Sequence, residues 1–328
     1  MHGIPGFGNG EDAEELDFEH LGEDDAIAIA GEKFAIEASS AERLNTERDD
    51  SFRLVSGDRP VAVLKVAHPA DSWDAIDLQL RALEHARHAD PSLPLQRIVP
   101  PPGGGLGLTL PDGRIARVLE WIPGELLLDR TTNARELGAL GDALGRLSKA
   151  MSTFPDVDAR HLSAWDLATV PRLATLLAAL PNDAVAAAVD GFTTRVVPRL
   201  DELPRQVIHN DFNPGNVLVD PIEPGYVTGI LDFGDVIYSL RVADLAIALC
   251  YQLSPLRHKW RDLTPMISAF ERYVALTNAE REVLPDLVAA RFAQRILVNG
   301  WLERNGQDRA GQHDANVSAL TALLNVEG

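Results

Sequence analysis

The stretch that most constrains this chain is Val207–Asp235, VIHNDFNPGNVLVDPIEPGYVTGILDFGD. Short apolar runs flank two polar clusters. Val207-Ile208 leads into His209-Asn210-Asp211, and Asn213-Pro214-Gly215-Asn216 turns the chain into Val217–Val219. Pro221 and Gly225 interrupt it, and Val227–Leu231 carries it to Asp232-Phe233-Gly234-Asp235. Runs of this length read as strands, whose ends hold polar loops on a rigid base. Two acids, Asp211 and Asp232, and one amide, Asn216, are thereby presented together. That inventory suits phosphoryl transfer, which needs a divalent metal, an oriented hydroxyl and charge stabilisation more than covalent help. Mg²⁺ takes one or two carboxylates together with phosphate oxygens. Asp232 and Asn216 can supply oxygens to it, and Asp211 can accept a hydrogen bond from an attacking hydroxyl.

His209-x-Asp211-x4-Asn216 followed by Asp232-Phe233-Gly234 resembles the catalytic and metal loops of the aminoglycoside phosphotransferases and related protein-kinase-like small-molecule kinases. The run Leu231–Leu249, LDFGDVIYSLRVADLAIAL, looks most like the hydroxylysine kinase branch. The resemblance implies an α+β, bilobal, protein-kinase-like fold, with a small antiparallel-sheet lobe over 32–120, a hinge at 121–124 and a mainly helical lobe over 125–328. It implies Asp211 as the catalytic acid, Asn216 and Asp232 as Mg²⁺ ligands, and structural roles for His209 and Asp244. Asp235 then faces substrate or a second metal. The implied donor is ATP or GTP.

Before that block, Val61–Val66 places Lys65 in an apolar strand, where an unpartnered ammonium is costly. By resemblance, and from its order relative to the later loops, it is the phosphate-binding lysine of the third strand; a strand lysine that snorkels to solvent is the competing reading. Ser72–His88 reads as the next helix, capped by Asp71 or Ser72, with Ile76, Leu80 and Leu83 on its apolar face. Asp77 and Glu84 lie on one side of that helix, and either can partner Lys65; alignment favours Asp77. No G-x-G-x-x-G covers the first hairpin, and Pro100–Gly107 lacks the Lys-Ser/Thr of a P-loop. Ile115–Trp121 reads as the last strand of the small lobe. By resemblance, the backbone of Glu120, Trp121 and Ile122 meets the purine edge.

Three strands are expected between Glu32 and Val66, beginning with Phe34–Ile36. Helices are expected at Asn133–Thr153, Trp165–Leu180, Asp183–Leu203, Arg241–Leu253, Thr264–Val274, Ala279–Arg304 and Ala310–Val326. The long Ala279–Arg304 helix carries Arg291, Arg295, Asn299, Trp301, Glu303 and Arg304. A substrate bearing amine and carboxylate needs such a mixture, and Arg295 and Asn299 are the substrate candidates; a solvated helix face is the competing reading.

Net charge is −19, and Glu11–Asp25 holds nine acids with no Lys or Arg. Residues 1–31 read as an acidic leader, part disordered and part amphipathic helix. No basic stripe is visible to meet a nucleic-acid backbone. A cationic or zwitterionic small molecule is compatible with this charge. No apolar run approaches the ~20 residues of a membrane helix. The single cysteine, Cys250, excludes an intrachain disulfide, and cytoplasmic residence fits. The expected activity is a kinase acting on the hydroxyl of a hydroxylated amino acid or amino alcohol, 5-hydroxylysine-like. An antibiotic phosphotransferase and a catalytically silent nucleotide-binding regulator are the alternatives.

Overall fold

The computed structural model describes residues 4, 5, 7, 18–46, 49–128, 130–155, 159–223, 225–253, 258–306 and 313–327. The chain enters through a helix, α1 (Glu23–Phe34), whose first turn carries Glu23, Asp24 and Asp25 at the positive end of the helix dipole. Five strands and one helix follow: β1 (Ser40–Arg43), β2 (Asp50–Ser56), β3 (Arg59–Val66), α2 (Trp73–Ala89), β4 (Ile98–Val99) and β5 (Leu108–Thr109). With β6 (Ile115–Glu120) they form an antiparallel sheet in the order β1-β2-β3-β6-β4, and β5 adds to β6.

The expected strand at Phe34–Ile36 is not found. Phe34 is the last residue of α1, and Ala35 closes the helix in a left-handed conformation, φ 55°. Ala26, Ala30 and Phe34 are buried against Phe52, Leu54, Leu64 and Val118 of the sheet. The later part of the acidic leader is therefore sheet-packed helix; residues 11–17 of that segment lie outside the described residues. Buried Asp50 ties this arrangement down. Its carboxylate accepts from the Leu21 amide at 3.0 Å, from Arg43 at 2.7 Å and from Arg114 at 3.0 Å.

Beyond the sheet, β7 (Glu125–Leu126) leads into α3 (Ala134–Met151), capped by Asn133, which accepts from the Arg135 and Glu136 amides. Residues 167–178 form a 3-10 helix where a regular α-helix was expected, and Pro171 lies inside it. Next comes α4 (Asp183–Gly191), and a π turn and a short 3-10 turn then replace the rest of the expected helix. The loop region is built on β8 (Arg205–Ile208), β9 (Val217–Val219), β10 (Val227–Ile230) and β11 (Ile237–Leu240). These pair as β10-β9-β7 and β11-β8. The chain closes with α5 (Ala243–Gln252), α6 (Thr264–Glu271), α7 (Asn278–Arg304) and α8 (His313–Glu327).

Two glycines set the approach of α3 to α6. A Cβ at Gly141 would collide with the Met266 carbonyl, and one at Gly145 would stand 2.8 Å from the Phe270 oxygen. One helical turn apart, they let backbone meet backbone. Gly141→Ala is expected to destabilise the fold by about 3 kcal/mol, the upper range for overpacking. The readout is a lower midpoint in thermal unfolding, and an unchanged midpoint would show that α6 shifts freely.

Candidate active site

Asp211 leaves β8 through a strained turn. Asn210 takes φ 66°, an uncommon left-handed value that Asn tolerates better than most residues. The turn is held from below by Asp244 on α5. One Asp244 oxygen accepts from the Asn210 amide at 2.7 Å and the other from the His209 amide at 3.1 Å. Asp244 is fully buried, and burial pushes its carboxyl above the ordinary carboxylate range; His209 and the two amides oppose that rise.

His209 links the two loops. Its Nδ1 accepts from the Asp211 amide at 3.2 Å, and its Nε2 donates to the Leu231 carbonyl at 3.0 Å. These partners fix the tautomer. The ring packs edge-on against Phe233, centroids 5.0 Å apart.

One oxygen of Asp211, Oδ2, accepts from the amides of Asn213 at 2.8 Å and Asn216 at 2.6 Å. The other, Oδ1, stands 3.7 Å from an Arg291 Nη. Asn216 thus turns its NH₂ towards Asp211, which leaves its carbonyl oxygen available as a hard-metal ligand. The Leu231 amide donates to the Asn216 backbone carbonyl at 2.8 Å, which places Asn216 beside the start of the Asp232 loop. Asp232 takes φ 58° and accepts from the Gly234 amide at 3.0 Å.

Lys65, on β3, reaches Asp232 at 3.4 Å. The Lys65 ammonium is the largest influence on Asp232 and holds its carboxyl down to about 2. Asp77 pairs instead with Arg81 at 2.5 Å, and Glu84 with Arg87 at 2.6 Å, both along α2 itself. The structure brings neither acid to Lys65. Spacing had put both on one side of α2, but the face turned towards Lys65 is the Gln79, Leu80, Leu83 face. Those residues line a small cavity with Lys65, Gln96, Arg117 and Asp232.

The segment joining sheet and helices carries Glu120, Trp121 and Ile122, the expected purine-facing residues. The Glu120 amide donates to Arg97, the Glu120 carbonyl accepts from Gln96, and the Trp121 amide donates to Val61. Among the described residues, the Trp121 carbonyl and the Ile122 amide are left without such partners. Gly124, φ 150°, then passes tightly over β9 and β10; a Cβ there would stand 2.5 Å from the Thr228 hydroxyl and 3.1 Å from the Val219 carbonyl.

Asp235, the residue after Gly234, is half-buried. On α7, Arg295 is buried and stacks over Tyr251 at 4.1 Å. Asn299, one turn further, is half-buried, and among the described residues no hydrogen bond reaches its side chain. Arg291 belongs to the polar cluster of that helix without being singled out alongside Arg295 and Asn299, and it is the α7 residue that pairs with Asp211. Its signal was an arginine inside the apolar run Leu287–Val298.

The loops therefore present a carboxylate with one open oxygen, an amide oxygen beside a second carboxylate, and a lysine behind it. Residues 41–302 match the phosphotransferase enzyme family that includes the aminoglycoside kinases. The chain belongs to that family. It is a phosphotransferase acting on hydroxyl groups. A hydroxylysine kinase of Mus musculus is 26% identical over 306 residues, which cover 84% of this chain and 81% of that protein. A homoserine kinase of Zymomonas mobilis is 27% identical over 198 residues, covering 58% and 59%. The fold is that of a solved amicoumacin kinase in complex with AMP-PNP and Ca²⁺, TM-score 0.66 at 18% identity, covering 94% of this chain and 93% of that one. The family chemistry uses a nucleotide donor and a divalent metal. Among the described residues, no group of three or more His, Cys, Asp or Glu forms a metal cluster. A carboxylate and an amide oxygen fit a hard cation that completes its shell with phosphate and water. No helix among the described residues is long and apolar enough to cross a membrane.

Proposed function

We propose that the enzyme transfers the γ-phosphoryl group of ATP or GTP to the hydroxyl of a small hydroxylated amino acid or amino alcohol, 5-hydroxylysine-like. The observation that carries this reading is the state of Asp211. Two amides hold one oxygen, and the other is presented beside a cationic helix face. A carboxylate fixed in that way can align a hydroxyl and accept its proton as the new bond to phosphorus forms.

Lys65 orients the donor phosphates. Asn216 and Asp232 would hold Mg²⁺, which when bound neutralises charge on the phosphate oxygens. The Trp121 carbonyl and Ile122 amide meet the purine edge. Asp235, Arg295 and Asn299 line the acceptor side. His209 and Asp244 keep the two loops in register through their hydrogen bonds.

The amino-acid assignment draws on the hydroxylysine and homoserine kinases that this chain resembles. The test is nucleotide consumption, with ATP and GTP separately, against hydroxylated amino acids, amino alcohols and aminoglycosides, with the product identified by mass. A phosphorylated amino acid or amino alcohol supports the reading. Phosphorylation confined to aminoglycosides would replace it with the antibiotic-kinase reading. Nucleotide binding with no product from any acceptor would favour a silent regulator.

A further inference from the structure

Arg291 is 2% exposed, in the middle of a helix that is apolar around it. Removing a guanidinium from water costs several kcal/mol unless its charge and donors are matched. Here the match is partial. One Nη donates to the Trp165 carbonyl at 3.2 Å and to Gln294 Oε1 at 2.7 Å, both neutral acceptors. The guanidinium carbon stands 5.0 Å from the centre of the Trp165 ring. The other Nη faces Asp211 at 3.7 Å, beyond hydrogen-bond reach. Its Nε is buried without a hydrogen-bond partner. One helical turn on, Arg295 is also buried, stacked on Tyr251. Both arginines act on Cys250 and Tyr251, opposing the rise that burial imposes on each, so their fields overlap. Arg291 thus stands beside the open oxygen of Asp211 with donor capacity left over, and Arg295 adds a second buried cation one helical turn away.

On the reading of this site as a hydroxyl kinase, we propose that Arg291, with Arg295 behind it, binds the carboxylate of the acceptor and so selects free hydroxy amino acids. A guanidinium fork matches a carboxylate in charge and shape. The donor phosphates are not the natural partner, because Lys65 and Asp232 hold the donor side of the cleft. A polycationic acceptor would meet two like charges. An acceptor without a carboxylate would leave the spare donor capacity of Arg291 unused.

The experiment compares a hydroxy amino acid with its carboxamide, which keeps the hydroxyl and the amine. Steady-state kinetics is paired with calorimetric binding of both compounds in the presence of a non-hydrolysable nucleotide. The wild type is expected to prefer the acid by about 100-fold in kcat/KM, the scale of a charge-assisted hydrogen-bond pair. Arg291→Gln should collapse that ratio to within about threefold, mainly through KM for the acid. Arg291→Lys, which keeps charge but loses the fork, should fall between. Equal use of acid and amide by the wild type would overturn the proposal. So would an equal loss for both compounds in Arg291→Gln, which would leave Arg291 as a positioning residue for Asp211. If Arg291→Gln does not fold, Arg295→Gln and the wild-type ratio decide. Failure of the kinase reading looks different: the acid would bind selectively and no phosphorylated product would form.

Discussion

Asp211→Asn lowers kcat by about a thousandfold, within the range for loss of a positioned general base, while nucleotide affinity stays within a few-fold. The reason lies in how the side chain is held. Asn213 and Asn216 both donate to the Asp211 oxygen Oδ2. An asparagine at this position keeps those two bonds only by turning its own oxygen towards them. Its NH₂ then points to where the acceptor hydroxyl and Arg291 stand. The loop survives, but the group facing the hydroxyl has become a donor and can take no proton. The charge that Arg291 faces is lost as well. Lys65, Asp232 and the segment at Trp121-Ile122 are untouched, which is why donor binding persists. Single-turnover phosphorylation, with calorimetry for the nucleotide, separates the two quantities. Full activity in this variant would remove Asp211 from the chemistry, and a matching loss of nucleotide affinity would show that the loop itself had moved.

The two loops of the candidate site were legible because each is bounded by strong local signals. Asn210 and Asp232 tolerate positive φ, Gly215 and Gly234 allow tight turns, and the flanking Val, Ile and Leu runs have no alternative to short strands. The α2 helix was legible for the same reason, since Ser72 caps it and accepts from the Ala75 amide. What failed depended on packing. Phe34–Ile36 has strand-like residues, yet Phe34 finds its burial by ending a helix laid on the sheet. Asp77 and Glu84 share a side of α2, but local arginines three or four residues away satisfy them, and Lys65 finds Asp232 across 167 residues of sequence. The 167–178 and 192–202 segments have helical periodicity, but Pro171 and Pro198 remove backbone donors and the chain settles for 3-10 and π turns. Arg291 is the clearest case. Spacing on α7 could not say whether the arginines faced solvent or the cleft, because that depends on where Trp165, Tyr251 and Asp211 come to lie.

Asp232→Asn abolishes metal-dependent nucleotide binding, weakening it by at least about 100-fold, without unfolding the protein. Asparagine is the informative replacement, because Asp232 sits at φ 58° and its Oδ1 accepts from the Gly234 amide. Asparagine tolerates that conformation and can keep that bond, whereas alanine would add backbone strain to the loss of charge. What disappears is the carboxylate that faces Lys65. In the wild type that carboxyl is held down to about 2 by the Lys65 ammonium. Its folded value lies below the ordinary 3.8, so the stability from this pair is fully present above the ordinary value and is lost as pH falls towards 2. Between pH 7 and pH 5 the Asp232 charge is therefore constant, and any fall in metal-nucleotide affinity over that range must come from other groups. Titrating Mg²⁺ against a fluorescent nucleotide analogue at several pH values reads both claims. Nucleotide binding by Asp232→Asn that still rises with Mg²⁺ as in the wild type would assign the metal to other oxygens, and Asp235 would be the next residue to change.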